Sequence, residues 1–331
     1  MKKTMLVILI IILLLGIFYL YLWLTSSKHY DVEYGISFNR QHAESLSLDW
    51  QEVYLAMLKD LQPKYIRIAA TWSEVEAIKG EYNFVEIKWQ MDQAAKYGSQ
   101  VVLVVGQKAP RWPECHVPGW ATDLTDEDYK KELFAYIQKV VELYHNHPAL
   151  ELWQVENEAF IRFRFGECKN FHEDLVDDEI KLVRELDSDH QIMVTDSGEL
   201  STWRKASNAG DIFGTTLYRI VRSSNGHIWT YDWLPPAFYR VKARLWGIEA
   251  KDMYVAELQA EPWFNNSDPN TSPLVEQMET MSLKRLQKHF DYTERVGVHR
   301  AYLWGVEWWY WLKENQADSV FWNLVKQKLA G

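Results

Sequence analysis

The chain has 331 residues, of which 47% are hydrophobic and 25% charged, and its formal net charge is −10. The acidic excess argues against nucleic acid as a partner, because phosphate backbones are also negatively charged. Some 300 residues after the N-terminal segment contain no linker of Gly, Ser or Pro and no internal repeat, which predicts one globular domain.

The N-terminal segment has the pattern of a membrane span. Two lysines precede an uncharged, mostly apolar run at residues 4–25, and about 20 apolar residues in a helix cross a bilayer core. The run ends in large side chains rather than small ones, which favours an uncleaved signal anchor over a cleaved signal peptide. The lysines should stay in the cytoplasm. We therefore expect residues 1–28 to form a cytoplasmic tip and a transmembrane anchor, and residues 29–331 to form an extracytoplasmic domain.

The chain contains two cysteines, Cys115 and Cys168, and neither lies in a metal-ligand spacing. In an extracytoplasmic domain, a disulfide between them is the favoured prediction. Two unpaired thiols are the alternative.

From Tyr30 onward, short apolar segments alternate with longer amphipathic ones. The short segments have the length and composition of strands. The segment at Gln100–Gly106 is an almost continuous apolar run, which is typical of a strand buried on both faces. Eight strands are predicted, at Val32–Phe38, Lys64–Ala70, Gln100–Gly106, Ala149–Val155, Gln191–Asp196, Asp211–Tyr218, Asp252–Leu258 and His299–Gly305.

Helices are predicted between these strands, and some carry start signals. Asp49 and Glu52 form a capping box, and Ser272 with Pro273 marks the start of a long helix. The helices are expected at Asp49–Leu61, Val85–Tyr97, Thr125–His145, Leu175–Leu186, a short stretch near Trp203, Pro236–Trp246, Ser272–Arg295 and Gln316–Leu329.

Eight strand–helix units predict an α/β fold, a closed (βα)8 TIM barrel preceded by a single N-terminal transmembrane helix. An open, doubly wound sheet is the alternative. It is disfavoured because the segment after the first strand lacks the Gly-rich phosphate-binding loop of that fold.

The active site of such a barrel lies at the C-terminal ends of its strands. Two carboxylates from different strands can share catalysis when one keeps its proton and the other is ionised. Glu158 and Glu257 are the candidates, and Glu156 and Glu261 are nearby rivals. Reactive side chains occur in these strands or just after them, namely Arg67, Trp72, Gln107, Glu156, Asn157, Glu158, Asp196, Tyr218, Glu257, Trp304 and Glu307.

Several of these segments resemble the clan A glycoside hydrolases, a superfamily of (βα)8 barrels that includes cellulases, mannanases, xylosidases and β-galactosidases. The segment ELWQVENEAF is similar to the strand-four segment of that clan, which ends in Asn-Glu. The segment MYVAELQAEPW is similar to the strand-seven segment, and TWSEVEAIKGEYNFVEIKWQ resembles the segment after strand two. The resemblance extends from Tyr34 to about Trp311.

The resemblance implies a retaining glycosidase that cleaves O-glycosidic bonds of a β-linked oligo- or polysaccharide by double displacement. Glu158 would be the general acid/base and Glu257 the nucleophile. No metal or organic cofactor is implied, because two carboxylates suffice. Seventeen tryptophans also fit a cleft lined by flat apolar rings. The expected substrate-binding residues are Asn157, Arg67, Tyr218, Trp304, Trp72 and Gln107.

The sequence departs from the clan pattern at two strand ends. Gln107 or Lys108 stands where many members have a histidine after strand three, and Asp196 or Ser197 stands at the strand-five position. The sugar and the family within the clan therefore stay open. A carbohydrate-binding barrel without turnover and a transglycosylase of envelope glycan remodelling are the alternative functions.

Overall fold

The protein is described here by a computed structural model that covers residues 2–161, 171–223, 225–264 and 270–330. Its core is a closed barrel of eight parallel strands, as predicted. The strands in chain order are β1 (Glu33–Ser37), β2 (Tyr65–Ala69), β3 (Gln100–Val105), β4 (Leu150–Val155), β5 (Gln191–Asp196), β6 (Ile212–Leu217), β7 (Ile220–Arg222), β8 (Ile228–Thr230), β9 (Met253–Gln259) and β10 (Arg300–Trp304).

All of these strands except β7 and β8 belong to the barrel, in the spatial order β1-β10-β9-β6-β5-β4-β3-β2. The strands β7 and β8 form an antiparallel hairpin between β6 and the next helix. This hairpin was not predicted, because its strands are only three residues long and five of their six side chains are partly or fully exposed.

The helices surround the barrel, apart from the N-terminal one. They are α1 (Lys2–Thr25), α2 (Arg40–Ser45), α3 (Trp50–Ala56), α4 (Trp72–Val75), α5 (Val85–Tyr97), α6 (Asp126–Tyr144), α7 (Val176–Leu186), α8 (Ala237–Leu245), α9 (Leu274–Thr280), α10 (Leu283–Val296), α11 (Val306–Asn315) and α12 (Val320–Ala330).

Three of the predicted helices differ in the structure. The single helix expected at Ser272–Arg295 is wrong, because Ser282 accepts a hydrogen bond from the Arg285 N–H and starts a second helix there. The helix expected near Trp203 is only a 3-10 turn at Ala206–Asn208. The first predicted helix does begin after Asp49, whose carboxylate accepts two backbone N–H bonds, but its last five residues form a π turn.

The barrel interior is apolar in the middle and polar towards both ends. Alternating side chains of the strands fill the middle with an apolar cluster. At the N-terminal end, Arg300 forms ion pairs with Glu33 and Glu151. Towards the C-terminal end the inward positions hold Arg67 and Gln154, which hydrogen-bond each other across the barrel. The polar layer that faces the site is therefore built into the strands themselves.

The helix α1 is long and apolar enough to cross a membrane. Its C-terminal end is attached to the barrel through α8. The hydroxyl of Ser26 accepts a hydrogen bond from the backbone N–H of Ala237, and the guanidinium of Arg240 donates to the carbonyl of Thr25. Both Leu22 and Ser26 are buried in this contact.

Candidate active site

Glu158 lies three residues beyond the end of β4. Its backbone has φ 46° and that of Glu156 has φ 61°, so two non-glycine residues adopt the left-handed conformation around Asn157. Each costs about 1–2 kcal/mol, a strain that is typically kept where the surroundings fix a functional geometry. The backbone N–H of Glu158 donates to Thr195 Oγ1 at 2.9 Å. Its carboxyl Oε1 accepts from the hydroxyl of Thr216 at 3.0 Å.

Glu257 lies in β9, three strands away from β2 around the barrel. Its Oε2 accepts a hydrogen bond from the hydroxyl of Tyr218 at 2.8 Å, and its Oε1 accepts from Nη1 of Arg67 at 3.3 Å. The guanidinium and the phenol thus hold both carboxylate oxygens of Glu257 in fixed positions.

Arg67 also fixes the amide of Asn157. Its Nη2 donates to Oδ1 of Asn157 at 2.8 Å, and the same oxygen accepts from the side chains of Gln154 and Thr195 at 3.3 Å each. Because three donors point at this oxygen, the side-chain amide nitrogen of Asn157 points away from them.

One threonine connects the two glutamates. Thr216, whose hydroxyl donates to Glu158, is the register partner of Glu257 in the pairing of β6 with β9. Neighbouring strands are about 4.8 Å apart. The carboxyls of Glu158 and Glu257 therefore belong to the same small region at the C-terminal end of the barrel.

The surroundings keep a proton on Glu158. Burial raises the pKa of its carboxyl well above the ordinary range, and repulsion from the carboxylates of Glu257 and Glu114 raises it further. A protonated carboxyl beside an ionised one is the division of labour that acid–base and nucleophilic catalysis require.

A cleft of ≈ 620 Å³ opens beside Glu257. Tyr218 and Trp304 line it, as predicted from the sequence, and Trp112 and Trp263 also line it. The Tyr218 and Trp263 rings meet edge to face, with centroids 5.6 Å apart. Flat rings around a carboxylate form a surface that fits the apolar faces of sugar rings.

The loop after β3 contributes charged residues that the sequence analysis missed. Arg111 and Glu114 both line the cleft and both have left-handed backbones, with φ 92° and 73°. Lys108 lies 3.8 Å from the Glu114 carboxylate and donates to the carbonyl of Glu158 at 3.2 Å. Burial raises the pKa of Glu114 to about 7, against the opposing effect of Lys108. No periodic pattern in the sequence marks this loop.

The same loop contains Cys115, which is disulfide-bonded. The predicted partner, Cys168, lies outside the described residues.

His42, Glu261 and Glu307 are close enough together to hold a metal ion. The guanidinium of Arg111 already lies between the two carboxylates, at 3.0 Å from Oε2 of Glu261 and 3.3 Å from Oε2 of Glu307. Burial alone would raise the pKa of Glu261, but Arg111 and then His42 lower it to about 2. The cluster is therefore balanced by a side-chain cation.

Arg111 also covers one face of Trp304, with its guanidinium carbon 4.2 Å from the ring centroid. Only 6% of Trp304 is exposed. A sugar that contacts this ring has to share it with the guanidinium.

Two of the predicted substrate-binding residues are directed elsewhere. Trp72 is fully buried, stacks on Tyr136 and donates from its indole N–H to Glu76. Gln107 is also fully buried, and its amide donates to Glu179 and accepts from Tyr129. Both predictions of sugar contact are wrong, because these side chains point between the barrel and its helices.

The rival carboxylate Glu156 has a structural role. Its two oxygens accept the backbone N–H bonds of Gln107 and Lys108, at 2.6 and 2.7 Å. Burial, followed by repulsion from Glu156, raises the pKa of the neighbouring Glu179 well above its ordinary range. Glu179 thus holds the proton that lets the two acids lie together, and Glu156 fixes the loop after β3.

Comparisons with known proteins bear on the fold of the chain. A family model described as beta-galactosidase (Glyco_hydro_42) matches residues 43–203, just under half of the chain. This range includes Glu158 and ends before Glu257. No curated protein sequence matches the chain.

The chain resembles the clan A glycoside hydrolases. A beta-galactosidase from the haloarchaeon Halorubrum lacusprofundi superposes with a TM-score of 0.55 and 15% identity, over 82% of this chain and 52% of that one. An intracellular xylanase from Thermoanaerobacterium saccharolyticum gives 0.55 and 16%, over 86% and 88%. A GH5_18 protein from Bifidobacterium longum subsp. infantis gives 0.58 and 12%, over 83% and 69%.

These likenesses confirm the fold. The chain spans about half the length of the beta-galactosidase, at 52%. The family within the clan stays unassigned.

The charge balance around Arg111 can be tested by Arg111→Met, which keeps much of the side-chain volume and removes the cation. Two buried carboxylates then lack their partner, and we expect the free energy of unfolding at pH 7 to fall by about 3–5 kcal/mol. The ionised form of Glu261, whose pKa Arg111 helps to lower to about 2, stabilises the fold above pH 4.5.

This contribution disappears as the pH falls from about 4.5 towards 2, so the difference between wild type and Arg111→Met should shrink over that range. Urea unfolding at several pH values measures it, with Arg204→Met as the control on an exposed arginine. If the difference in unfolding free energy between wild type and Arg111→Met does not change with pH, the role assigned to Arg111 in keeping Glu261 ionised is contradicted.

Proposed function

We propose that the protein is a retaining glycoside hydrolase that cleaves O-glycosidic bonds of a β-linked oligo- or polysaccharide. Glu158 is the general acid/base and Glu257 the nucleophile. The observation that carries the proposal is the contrast between the two carboxyls. Glu158 is buried beside Glu257 with a raised pKa, whereas Glu257 accepts hydrogen bonds from a guanidinium and a phenol.

The first half of the reaction forms a covalent intermediate. A carboxylate oxygen of Glu257 attacks the anomeric carbon, and the bond from that carbon to the leaving oxygen breaks. Glu158 transfers its proton to the leaving oxygen, so the aglycone departs as a neutral alcohol. The Tyr218 hydroxyl and Arg67 orient the attacking carboxylate, since both are bonded to it before the substrate arrives.

The second half reverses these roles. Glu158, now ionised, removes a proton from a water molecule, and the water oxygen attacks the anomeric carbon. The bond to Glu257 breaks, and both glutamates return to their initial protonation states. Two inversions at the same carbon leave the product with the β configuration of the substrate.

Asn157 is placed to recognise the sugar during both steps. Its oxygen is occupied by the donors described above. The amide hydrogens are available for a sugar hydroxyl next to the reacting carbon, and Trp304 and Trp263 line the cleft beside Glu257.

We expect Glu158→Ala and Glu257→Ala to remove hydrolysis of aryl β-galactosides and aryl β-xylosides by the full-length protein in detergent. Loss of a general acid lowers kcat by about 10²–10⁴-fold on substrates with a poor leaving group. Azide should restore turnover in Glu158→Ala by attacking the intermediate in place of water. Glu249→Gln, at a glutamate with a 70% exposed side chain, is the control.

NMR of the first product should show the β-anomer. Full activity in either alanine variant would refute the assignment, and initial release of the α-anomer would refute retention. Sugar binding without turnover across a broad panel of glycosides would favour the carbohydrate-binding alternative.

The pH dependence tests the contribution of Glu114. Glu158 must be protonated to act as the acid, so activity falls as the pH rises through its pKa. Glu114, with a pKa raised to about 7, is ionised on that alkaline side and repels the ionised form of Glu158. In Glu114→Gln, the alkaline limb of the kcat/KM profile should therefore move to lower pH. Glu114→Asp should restore it in part, and an unmoved limb in Glu114→Gln would contradict this role.

We also propose that α1 is an uncleaved membrane anchor that holds the barrel on the extracytoplasmic side. The contacts of Ser26 with Ala237 and of Thr25 with Arg240 support this, because cleavage would remove a buried part of the fold. The intact mass of the protein extracted from membranes should then include residues 1–28. A mass that begins after residue 28 would refute retention.

A further inference from the structure

The last three turns of α1 lie against the barrel instead of extending away from it. Leu15, Phe18, Tyr19 and Leu22 of α1 face a group of side chains before and at the start of α8. The hydroxyl of Tyr19 donates to the carbonyl of Trp233 at 2.6 Å. We call the barrel side of this contact the juxtamembrane surface; it comprises Leu200, Trp233, Leu234, Pro235 and Phe238.

The length of α1 determines how deep the juxtamembrane surface lies in the bilayer. The part of the apolar run before Leu15 has 11 residues (4–14), which rise about 17 Å in a helix. A bilayer core is about 30 Å thick, so this part alone does not span it. The turns from Leu15 to Leu22 are needed to complete the span. The barrel residues packed against those turns must therefore lie at the same depth as the apolar layer.

The chemistry of the juxtamembrane surface fits this depth. Trp233 is 59% exposed and Leu200 is 40% exposed, although both are large and apolar. A groove of ≈ 480 Å³ separates them from α1 and is lined almost wholly by apolar side chains.

The charged groups nearby are paired. Asp232 forms a bidentate pair with Arg285, and Glu199 is buried against Arg219 and Tyr239. Pairing reduces the cost of bringing such groups near lipid.

We propose that the juxtamembrane surface is embedded in the outer leaflet of the bilayer, with lipid acyl chains in the groove between it and α1. The partner is the hydrophobic interior of the membrane. The net charge of −10 makes attraction to anionic headgroups an unsuitable explanation. This inference rests on the proposed anchor and is independent of the proposed hydrolysis.

Trp233, Leu234 and Pro235 of the embedded surface belong to a loop on the catalytic face of the barrel. The segment from β6 to α8 begins with Tyr218, which holds Glu257, and continues to Trp233, which contacts α1. Arg219 ties the two ends together, because its guanidinium donates to the carbonyls of Tyr231 and Leu234. The mouth of the cleft is thereby held beside the bilayer, in reach of glycans carried at the membrane surface.

Single-cysteine labelling tests the embedding. Leu200→Cys and Trp233→Cys in the full-length, oxidised chain are labelled with the fluorophore NBD and reconstituted into phosphatidylcholine vesicles. Val85→Cys and Val275→Cys, at side chains that are 73% and 77% exposed on other helices, are the matched controls. Unsubstituted protein treated with the same reagent gives the background.

We expect the labels at positions 200 and 233 to emit at shorter wavelength and to lose most of their emission when nitroxide-labelled lipids are present. The labels at positions 85 and 275 should keep their emission when these lipids are present. Equal quenching at all four positions, or none at 200 and 233, would overturn the proposal, as would failure of the protein to float with the vesicles. Since the readout needs no turnover, an inactive protein would affect the proposed hydrolysis and leave this test intact.

Discussion

The structure of the site depends on one buried guanidinium in the barrel. Arg67 donates to Gln154, Asn157, Glu257 and the carbonyl of Ala256, so it joins β4 and β9 from its own position in β2. A buried charge is tolerated only when its hydrogen-bonding groups are satisfied. The requirement works in both directions, because Arg67 needs these partners and the partners are held in place by Arg67. The two strand ends that carry the candidate glutamates are thus fixed relative to each other before any ligand binds.

The other buried acids of the site must also be compensated, and the means of compensation differs from one acid to the next. Glu261 and Glu307 lie around Arg111, Glu156 is held by two backbone N–H groups, and burial, followed by repulsion from Glu156, raises the pKa of Glu179. Glu158 lacks such a cationic partner within bonding distance among the described residues, and its carboxyl oxygen accepts from a neutral hydroxyl. The structural acids are compensated by a cation, by backbone N–H groups or, in Glu179, by a raised pKa, and the pKa of Glu158 is likewise raised, but at the mouth of the barrel.

Much of the fold was predictable because the strands are short apolar runs, and their ends could be read from the sequence. Glu158, Glu257 and Tyr218 could be proposed as site residues because Glu158 and Tyr218 follow strands and Glu257 lies near the end of one. The same rule failed for Trp72 and Gln107, since the position after a strand does not decide whether a side chain points into the mouth or back towards the helices. Arg111 and Glu114 were missed because the loop after β3 has no periodic pattern. The four-residue helix α4 and the hairpin of β7 and β8 are also too short to show a periodic pattern.

The fixed orientation of the Asn157 amide determines whether this point of the site donates or accepts a hydrogen bond. In an ordinary asparagine the two ends of the amide can exchange places at little cost, so the group adapts to either a donor or an acceptor. Rotation is prevented here, because it would bring an NH₂ group against the guanidinium of Arg67. This point of the site is therefore a permanent donor, and a molecule that presents a hydrogen instead of an oxygen to it would leave a buried N–H unsatisfied. In the proposed enzyme, selectivity for the reacting sugar would be determined by this contact deep inside the barrel.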